Sequence, residues 1–302
     1  MKAIVLHEYG PPSNLKYEDF PDPVPAAGEI LIRVTATSVN PVDFKMRSGE
    51  AKARFPVEFP AILGRDIAGI VRELGPGVTG FEPGQKVIAL GWKAYAELAV
   101  VKTSDLTLLP DGMDLVTAAA LPLVTLTGQQ LITLGAQLQR GQAILITGAL
   151  GSVGRSAVWT AKKLGAKVIA GVRAKQLKEA EALGADLVLA IDDDDAIAKL
   201  GFLDAVADTI NHETAQKLIA KVKQGGIFAS VLGPPANAAM HPTVKVNAIM
   251  AHPDAKTLRQ LAEDVQAGHL VIPIDRMLAL ADAAEAHQAA EKGGIGKILL
   301  LP

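Results

Sequence analysis

From residue 143 onward, short apolar runs alternate with amphipathic segments. They read "AILITG", "SVGRSAVWTAKKLG", "KVIAGV", "AKQLKEAEALG", "DLVLAI", "LDAVADTI", "TAQKLIAKVKQGG" and "IFASVLG". A strand that is apolar on both sides has no face to offer water, so helices must cover both faces of the sheet it joins. That requirement leaves one economical solution, a doubly wound parallel sheet built from βαβ units. Residues 118–139, "AAALPLVTLTGQQLITLGAQLQ", lead into it at helical period with an early proline. Residues 113–267 are therefore expected to form one nucleotide-binding domain of Rossmann type.

The preceding residues follow a different rule. "EILIRVTATSVN", "DIAGIVRELGPGV", "PGQKVIAL" and "YAELAVV" are short β patterns separated by Gly and Pro. Close spacing with such turns predicts a small barrel-like sheet over the first 112 residues. The closing stretch "DAAEAHQAAEKGGIGKILLLP" reads as helix, glycine turn and strand. By itself it fits either an end to the α/β domain or a return to the first sheet. The run "DDDD" at 192–195 reads as a solvated turn that starts a helix.

Composition narrows the function classes. Net charge is −2 over 302 residues, which speaks against nucleic acid or an anionic membrane as partner. No stretch approaches the roughly 18 apolar residues of a membrane span, and "MKAIVLHEYG" reads as a terminal strand, so a cytoplasmic protein is expected. Cysteine is absent and the six histidines are unpaired in sequence. Disulfides, thiolate metal sites and a nucleophilic thiol are thereby excluded, and no metal is expected.

Gly148, Gly151 and Gly154 stand at three-residue spacing between an apolar strand and a helix. Such a loop makes a tight turn, lets backbone approach a pyrophosphate, and aims helix N–H groups at it. The same pattern also fits an ordinary tight βα turn. The next strand ends at Arg173, with Lys175 beyond. A carboxylate there would suit the ribose hydroxyls of NAD(H), whereas arginine can grip a 2′-phosphate through parallel N–H bonds. NADP(H) is the cofactor this favours, with Asp192 as an opposing charge near the adenine side.

These motifs together resemble the medium-chain dehydrogenase/reductase superfamily, within it the zinc-free quinone oxidoreductase branch that includes zeta-crystallin. The likeness runs through "GPPSNLKYEDFPDPVPAAGEILIRVTATSVNPVDFKMRSG", "LGRDIAGIVRELGPGVTGFEPGQKVIAL", "AALPLVTLTG", the glycine loop and "AAEAHQAAEKGGIGKILLL". It implies a GroES-like β domain of residues 1–112 rejoined by 268–302, a Rossmann domain of 113–267, bound NADP(H), and a homodimer formed through edge strands near "TVKVNAIMA". Where zinc-dependent relatives have a cysteine and a histidine ligand, this chain has Asn40 and Arg65. It departs from the branch at Leu150, Ser152, Trp159, Ile191 and Asp192, and is shorter around "PPANAAMHPTVKVNAIMAHPDAK".

The resemblance implies a zinc-independent, NADPH-dependent oxidoreductase that reduces quinones or α,β-unsaturated carbonyl compounds by direct hydride transfer. The alternatives are an enoyl-thioester reductase on the same scaffold and a non-catalytic NADPH-binding protein. Negative charge developing on the acceptor's carbonyl oxygen needs donors. Asn40 and Lys45 are the catalytic candidates, Asn40 also touching cofactor, with Asp43 either holding Lys45 or capping a helix. Asn40 before Pro41 suits a turn as well, and Lys45 a solvent-facing position. Cofactor contacts are expected from Thr127, from Gly148, Leu150, Gly151, Ser152, Val153 and Gly154, from Arg173 and Lys175, and from Val231, Leu232 and Gly233. Tyr95 is a further proton-donor candidate whose plainer reading is packing.

Overall fold

Strand direction distinguishes the two units of this chain, apart from one parallel pair near the C-terminal end that belongs to the first. The computed structural model describes residues 1–210, 212–294 and 296–302. Residues 1–123, 253–268 and 272–302 make one unit, and 124–252 with 269–271 make the other.

The first unit contains β1 (Lys2–Leu6), β2 (Leu15–Asp19), β3 (Glu29–Ser38), α1 (Pro41–Ser48), β4 (Ala61–Ile62), β5 (Asp66–Leu74), β6 (Lys86–Leu90), β7 (Leu98–Lys102), β8 (Leu106–Leu108) and α2 (Leu115–Ala118). β1 pairs antiparallel with β2 and β4, while β3 pairs antiparallel with both β5 and β7. Ile4, Leu6, Val39, Met46 and Tyr95 form one buried cluster. A second gathers Ile30, Ile32, Ile67, Val87 and Val101. Antiparallel strands joined by tight Gly and Pro turns are what this composition supports.

The second unit is the parallel one. Most of α3 (Pro122–Gln130) opens it, followed by β9 (Ala143–Thr147), α4 (Ser152–Lys163), β10 (Lys167–Val172), α5 (Leu177–Ala180), β11 (Leu187–Ala190), α6 (Asp194–Lys199), β12 (Leu203–Asp208), α7 (His212–Ile219), β13 (Val222–Ser230) and β14 (Lys245–Ala248). The sheet order is β11-β10-β9-β12-β13-β14, every pair parallel. Ile144 and Ile146 pack into one apolar layer, and Leu145 between them packs into the other. Burial on both faces explains the unbroken apolar runs. Pro122 starts α3, where a missing N–H costs nothing, and a π-helical turn at Leu131–Gly135 closes it. Asp193 caps α6 through bonds from Asp195 N (2.9 Å) and Ala196 N (3.2 Å), the helix start expected of the acidic run.

The chain then returns to the first unit through α8 (Ala255–Gln266), β15 (Ile274–Ala279), α9 (Ala283–Glu291) and β16 (Lys297–Leu301). β16 pairs antiparallel with β3, so the closing helix and strand rejoin the first sheet. This unit also reaches past the expected breaks at 112 and 267, because α2 packs on β3 and β5, and α8 on β8. Among the described residues no helix is long and apolar enough to cross a membrane.

Candidate functional site

Strand order reverses between β9 and β12 in the second unit. In open parallel sheets the crevice beyond the carboxyl ends of such neighbours is where ligands bind. The glycine loop leaves β9 at that point. Gly148 holds φ +60°, and a Cβ there would come within 2.5 Å of Thr209 Oγ1. At Gly154 a Cβ would run into the Gly148 carbonyl and lie 2.7 Å from Ala149 Cα. Only glycine therefore lets the first turn of α4 settle on the loop. Gly151 is the N-cap of α4 and supplies no side-chain cap. The amides of Ser152, Val153 and Gly154 are the first of that helix, so they have no acceptor within it. They stand at its partially positive end.

Neighbours hold this loop in place. Ala149 N donates to Gly171 O (3.2 Å), and Arg155 Nε donates to Leu150 O (2.9 Å). Helix α3 comes close to α4 at Gly128, where a Cβ would lie 2.5 Å from Val153 O and 2.7 Å from Ala157 N. Ser156 Oγ fastens the crossing by donating to Thr125 O at 2.7 Å. Thr127, half-buried, sits beside that contact.

On one side, β10 ends in exposed Arg173 and Lys175. The Arg173 guanidinium has no ion-pair partner among the described residues. Asp192 lies next to them, its Oδ1 accepting from Ala174 N at 2.7 Å. On the other side, Val231, Leu232 and Gly233 continue from β13. Val231 N donates to Asp208 O (3.2 Å) and Leu232 N to Ser230 Oγ (3.0 Å), while Leu232 is 40% exposed. Between the two sides lies buried Asp208, absent from the sequence-based candidates. Its carboxylate accepts from Thr147 Oγ1 (3.0 Å), Ser230 Oγ (3.0 Å) and Ile210 N (3.3 Å). One signal was present in the sequence: "AILIT", "LDAVAD" and "IFAS" each close an apolar run with a polar residue.

The first unit holds its polar groups differently. Asn40 caps α1 and is fully buried. Its Nδ2 donates to Asp66 Oδ2 (2.7 Å) and Ser38 O (3.3 Å), and its Oδ1 accepts from Lys297 Nζ (2.6 Å). Lys297 also donates to Val39 O (3.1 Å) and lies 3.5 Å from Asp66. Asp66 additionally accepts from Ser38 Oγ and from Leu123 N. Burial pulls the Lys297 ammonium below its ordinary pKa, and Asp66 and Asp43 oppose that pull.

A second chain adjoins the first. Asp43 Oδ2 accepts from Asn40 N (2.9 Å) and from the Tyr95 hydroxyl (3.0 Å). His287 Nε2 lies 3.1 Å from that hydroxyl, and His287 Nδ1 lies 3.4 Å from Arg47 Nη1. Arg47 closes the chain on Glu291 at 2.6 Å. Burial pushes Asp43 up to about 6. Burial, helped by the Arg47 charge, pulls His287 down to about 3. Arg47 can only donate, so Nδ1 accepts and the neutral ring carries its proton on Nε2.

These contacts revise several sequence-based roles. Asn40 was expected to offer an amide donor, but both its N–H groups are committed inside the first unit. It braces the turn after β3. Asp43 caps α1 and does not hold Lys45, whose ammonium pairs with Glu50 at 3.0 Å with 35% of its side chain exposed. Tyr95 is fully buried and donates to Asp43, the packing role.

The same contacts test zinc. Arg65 Nε donates to Gly91 O at 2.7 Å, and its guanidinium carbon lies 3.6 Å from the Trp92 ring centre. A guanidinium has no lone pair to give a metal, and Asn40 Oδ1 already takes an ammonium. With no cysteine in the chain, this donor set does not fit a thiolate–imidazole zinc site.

Comparison with known proteins agrees with this architecture. Residues 26–111 match the alcohol dehydrogenase GroES-like domain family, and residues 183–300 match the zinc-binding dehydrogenase family. The chain is 37% identical over 199 residues to the chloroplast envelope quinone oxidoreductase homolog of Arabidopsis thaliana. That match spans 63% of this chain and 60% of the plant protein's own length. It is 32% identical over 273 residues to trans-enoyl reductase tazE of Aspergillus terreus, across 80% of this chain and 88% of the fungal one. Mycobacterial Rv1454c complexed with NADPH superposes with a TM-score of 0.85 at 26% identity, covering 100% of both chains.

Proposed function

The chain belongs to the medium-chain dehydrogenase/reductase superfamily, in its quinone oxidoreductase branch, and from that premise we propose that it is a zinc-independent, NADPH-dependent reductase of quinones or α,β-unsaturated carbonyl compounds. One observation carries the reading. At the topological switch point of the parallel sheet, helix N–H donors with no acceptor inside their helix stand over a glycine cradle, with an exposed arginine at the end of the adjacent strand that has no ion-pair partner among the described residues. The NADPH complex of the mycobacterial relative supports the same cofactor here.

The residues divide the work of holding it. Gly148, Leu150, Gly151, Ser152, Val153 and Gly154 cradle the pyrophosphate, the first amides of α4 and its dipole facing it while the Gly151 N–H, donated to Gly148 O at 2.9 Å, holds the turn. Arg173 and Lys175 bind the 2′-phosphate, which a guanidinium meets with two parallel N–H bonds. Val231, Leu232, Gly233 and Thr127 take the nicotinamide end, the exposed Leu232 side chain suiting a flat ring. When bound, the cofactor supplies a hydride for a quinone ring or the β-carbon of an enone. Lys45 stabilises the negative charge that then develops on the acceptor oxygen. Asn40, with Asp66 and Lys297, keeps the turn carrying α1 rigid.

The functional division of the chain follows the same reading, with residues 1–112 and 268–302 serving the substrate and 113–267 the cofactor. We place the protein in the cytoplasm as a homodimer. Its joining element is β14, the last strand of the parallel sheet in the order among the described residues, an edge that can pair with a second copy. The test is NADPH and NADH titration by fluorescence, followed by turnover on quinones, enones and enoyl thioesters. Tight NADPH binding with oxidation by quinones or enones supports the reading. Turnover confined to enoyl thioesters moves the chain to the other reductase class, and tight binding with no turnover makes it a binding protein.

A further inference from the structure

Asp208 ends the central strand β12 with its side chain buried. A buried carboxylate is costly unless hydrogen bonds compensate it, and its bonds reach both flanking strands. Ala207 stands opposite Ile146 of β9, and Asp208 stands opposite Ser230 of β13. The carboxylate thus lies between the exits of the strands that feed the glycine loop and the Val231–Gly233 segment.

Each partner passes the contact outward. Thr147 Oγ1 donates to Asp208 and accepts from Thr209 N (2.9 Å), and Thr209 Oγ1 donates back to Thr147 O (2.8 Å). Thr209 is also the residue whose hydroxyl fills the space where a Cβ on Gly148 would go. On the opposite flank, Ser230 Oγ donates to Asp208 and accepts from Leu232 N (3.0 Å). A continuous belt therefore runs Gly148, Thr209, Thr147, Asp208, Ser230, Leu232. Both hydroxyls are used as donor and acceptor at once, which fixes their direction.

We propose that Asp208 is a positioning residue that aligns both ends of the cofactor groove through one carboxylate, the phosphate loop by way of Thr147 and the nicotinamide end by way of Ser230. The proposal rests on the NADPH reading above. It assigns the two arms separable effects. Slackening the Thr147 arm disturbs the loop that receives phosphate and weakens binding. Slackening the Ser230 arm shifts the segment against the nicotinamide, so binding is nearly kept and hydride transfer slows. Small misplacements of a reacting group are enough to cost much of the rate.

The experiment compares Thr147→Val, Thr147→Ser, Ser230→Ala, Ser230→Thr and Asp208→Asn with the wild-type chain. It measures NADPH dissociation constant, kcat, the isotope effect with deuterated NADPH, and melting temperature. Losing one buried hydrogen bond corresponds to about a tenfold effect. Thr147→Val should therefore raise the NADPH Kd about tenfold, and Ser230→Ala should lower kcat by a similar factor while enlarging the isotope effect. Asp208→Asn should do both, and the hydroxyl-retaining Thr147→Ser and Ser230→Thr should restore most of each loss. Should Asp208→Asn fail to fold, the Thr147 and Ser230 pairs still decide the matter. If both deletions merely lower the melting temperature, with Kd and kcat as in wild type, the assignment is overturned. A wild-type chain that binds no NADPH overturns the function and the assignment together.

Discussion

The buried polar cluster of the first unit and the strand-end crevice of the second use similar side chains to opposite ends. Around Asn40, Asp66, Lys297, Asp43, Tyr95 and His287, nearly every donor has an acceptor inside the cluster. At the crevice, Asp208 is equally well bonded, yet the first amides of α4 have no acceptor within the helix and the exposed Arg173 guanidinium has no ion-pair partner among the described residues. An inward-closed cluster contributes order, and a rim of unsatisfied donors contributes affinity for an anion. Substitutions in the first should therefore register as stability, and substitutions at the rim as binding.

The largest expected effect breaks the closed cluster. Lys297→Met leaves Asp66 buried without its cation, and should cost about 3–5 kcal/mol in urea unfolding. A loss under about 1 kcal/mol would mean that water already reaches the cluster.

Acid should reveal the same enclosure. His287 titrates at about 3 in the folded chain against an ordinary 6.5, so the unfolded chain takes the proton first and stability falls as pH drops through that window. Asp43, at about 6 against an ordinary 3.8, works the other way: the folded chain takes the proton first, and its contribution is lost as pH rises through about 6. His287→Gln keeps an acceptor for Arg47 and a donor for Tyr95 but cannot titrate. It should remove an acid-side loss on the order of a few kcal/mol, leaving a chain whose stability rises between pH 7 and 4. Unfolding midpoints that follow pH alike in both chains would refute the enclosed histidine.

Lys45 lies in the first unit but outside its cluster, paired with Glu50. Lys45→Met should lower turnover about tenfold with NADPH affinity and melting temperature nearly unchanged. Unaltered turnover would leave it a surface ion pair with Glu50. Asp192 should give the smallest effect. Its carboxylate holds Ala174 N beside Arg173 and would repel a 2′-phosphate bound there, so Asp192→Asn should tighten NADPH about two- to fivefold and leave NADH alone. A weaker NADPH complex would make that carboxylate a needed brace.

What could be read from sequence follows from range. The alternation after residue 143, the glycine loop and the basic end of β10 are local patterns, each written in consecutive residues. The partners of Asn40 are not: Asp66 stands 26 residues away and Lys297 257 away. Tyr95 and His287 are separated by 192. Nothing in "TSVN" or "GKILLL" signals that an amide and an ammonium will meet, so Asn40 reads as a free donor until folding joins the two ends of the chain. Gly128 escaped notice for a similar reason, since the close approach of α3 to α4 shows only when both helices are placed.

On the proposed function, the rim from Gly148 to Arg173 holds a phosphorylated dinucleotide. Calorimetric titration of wild type and Arg173→Ala with NADPH and NADH tests it most directly. Wild type should prefer NADPH, and Arg173→Ala should weaken NADPH by about 10- to 100-fold. NADH affinity and melting temperature should hardly change, as expected for an exposed side chain. Equal, small losses for both nucleotides, or no heat of binding from either in the wild-type chain, would contradict it.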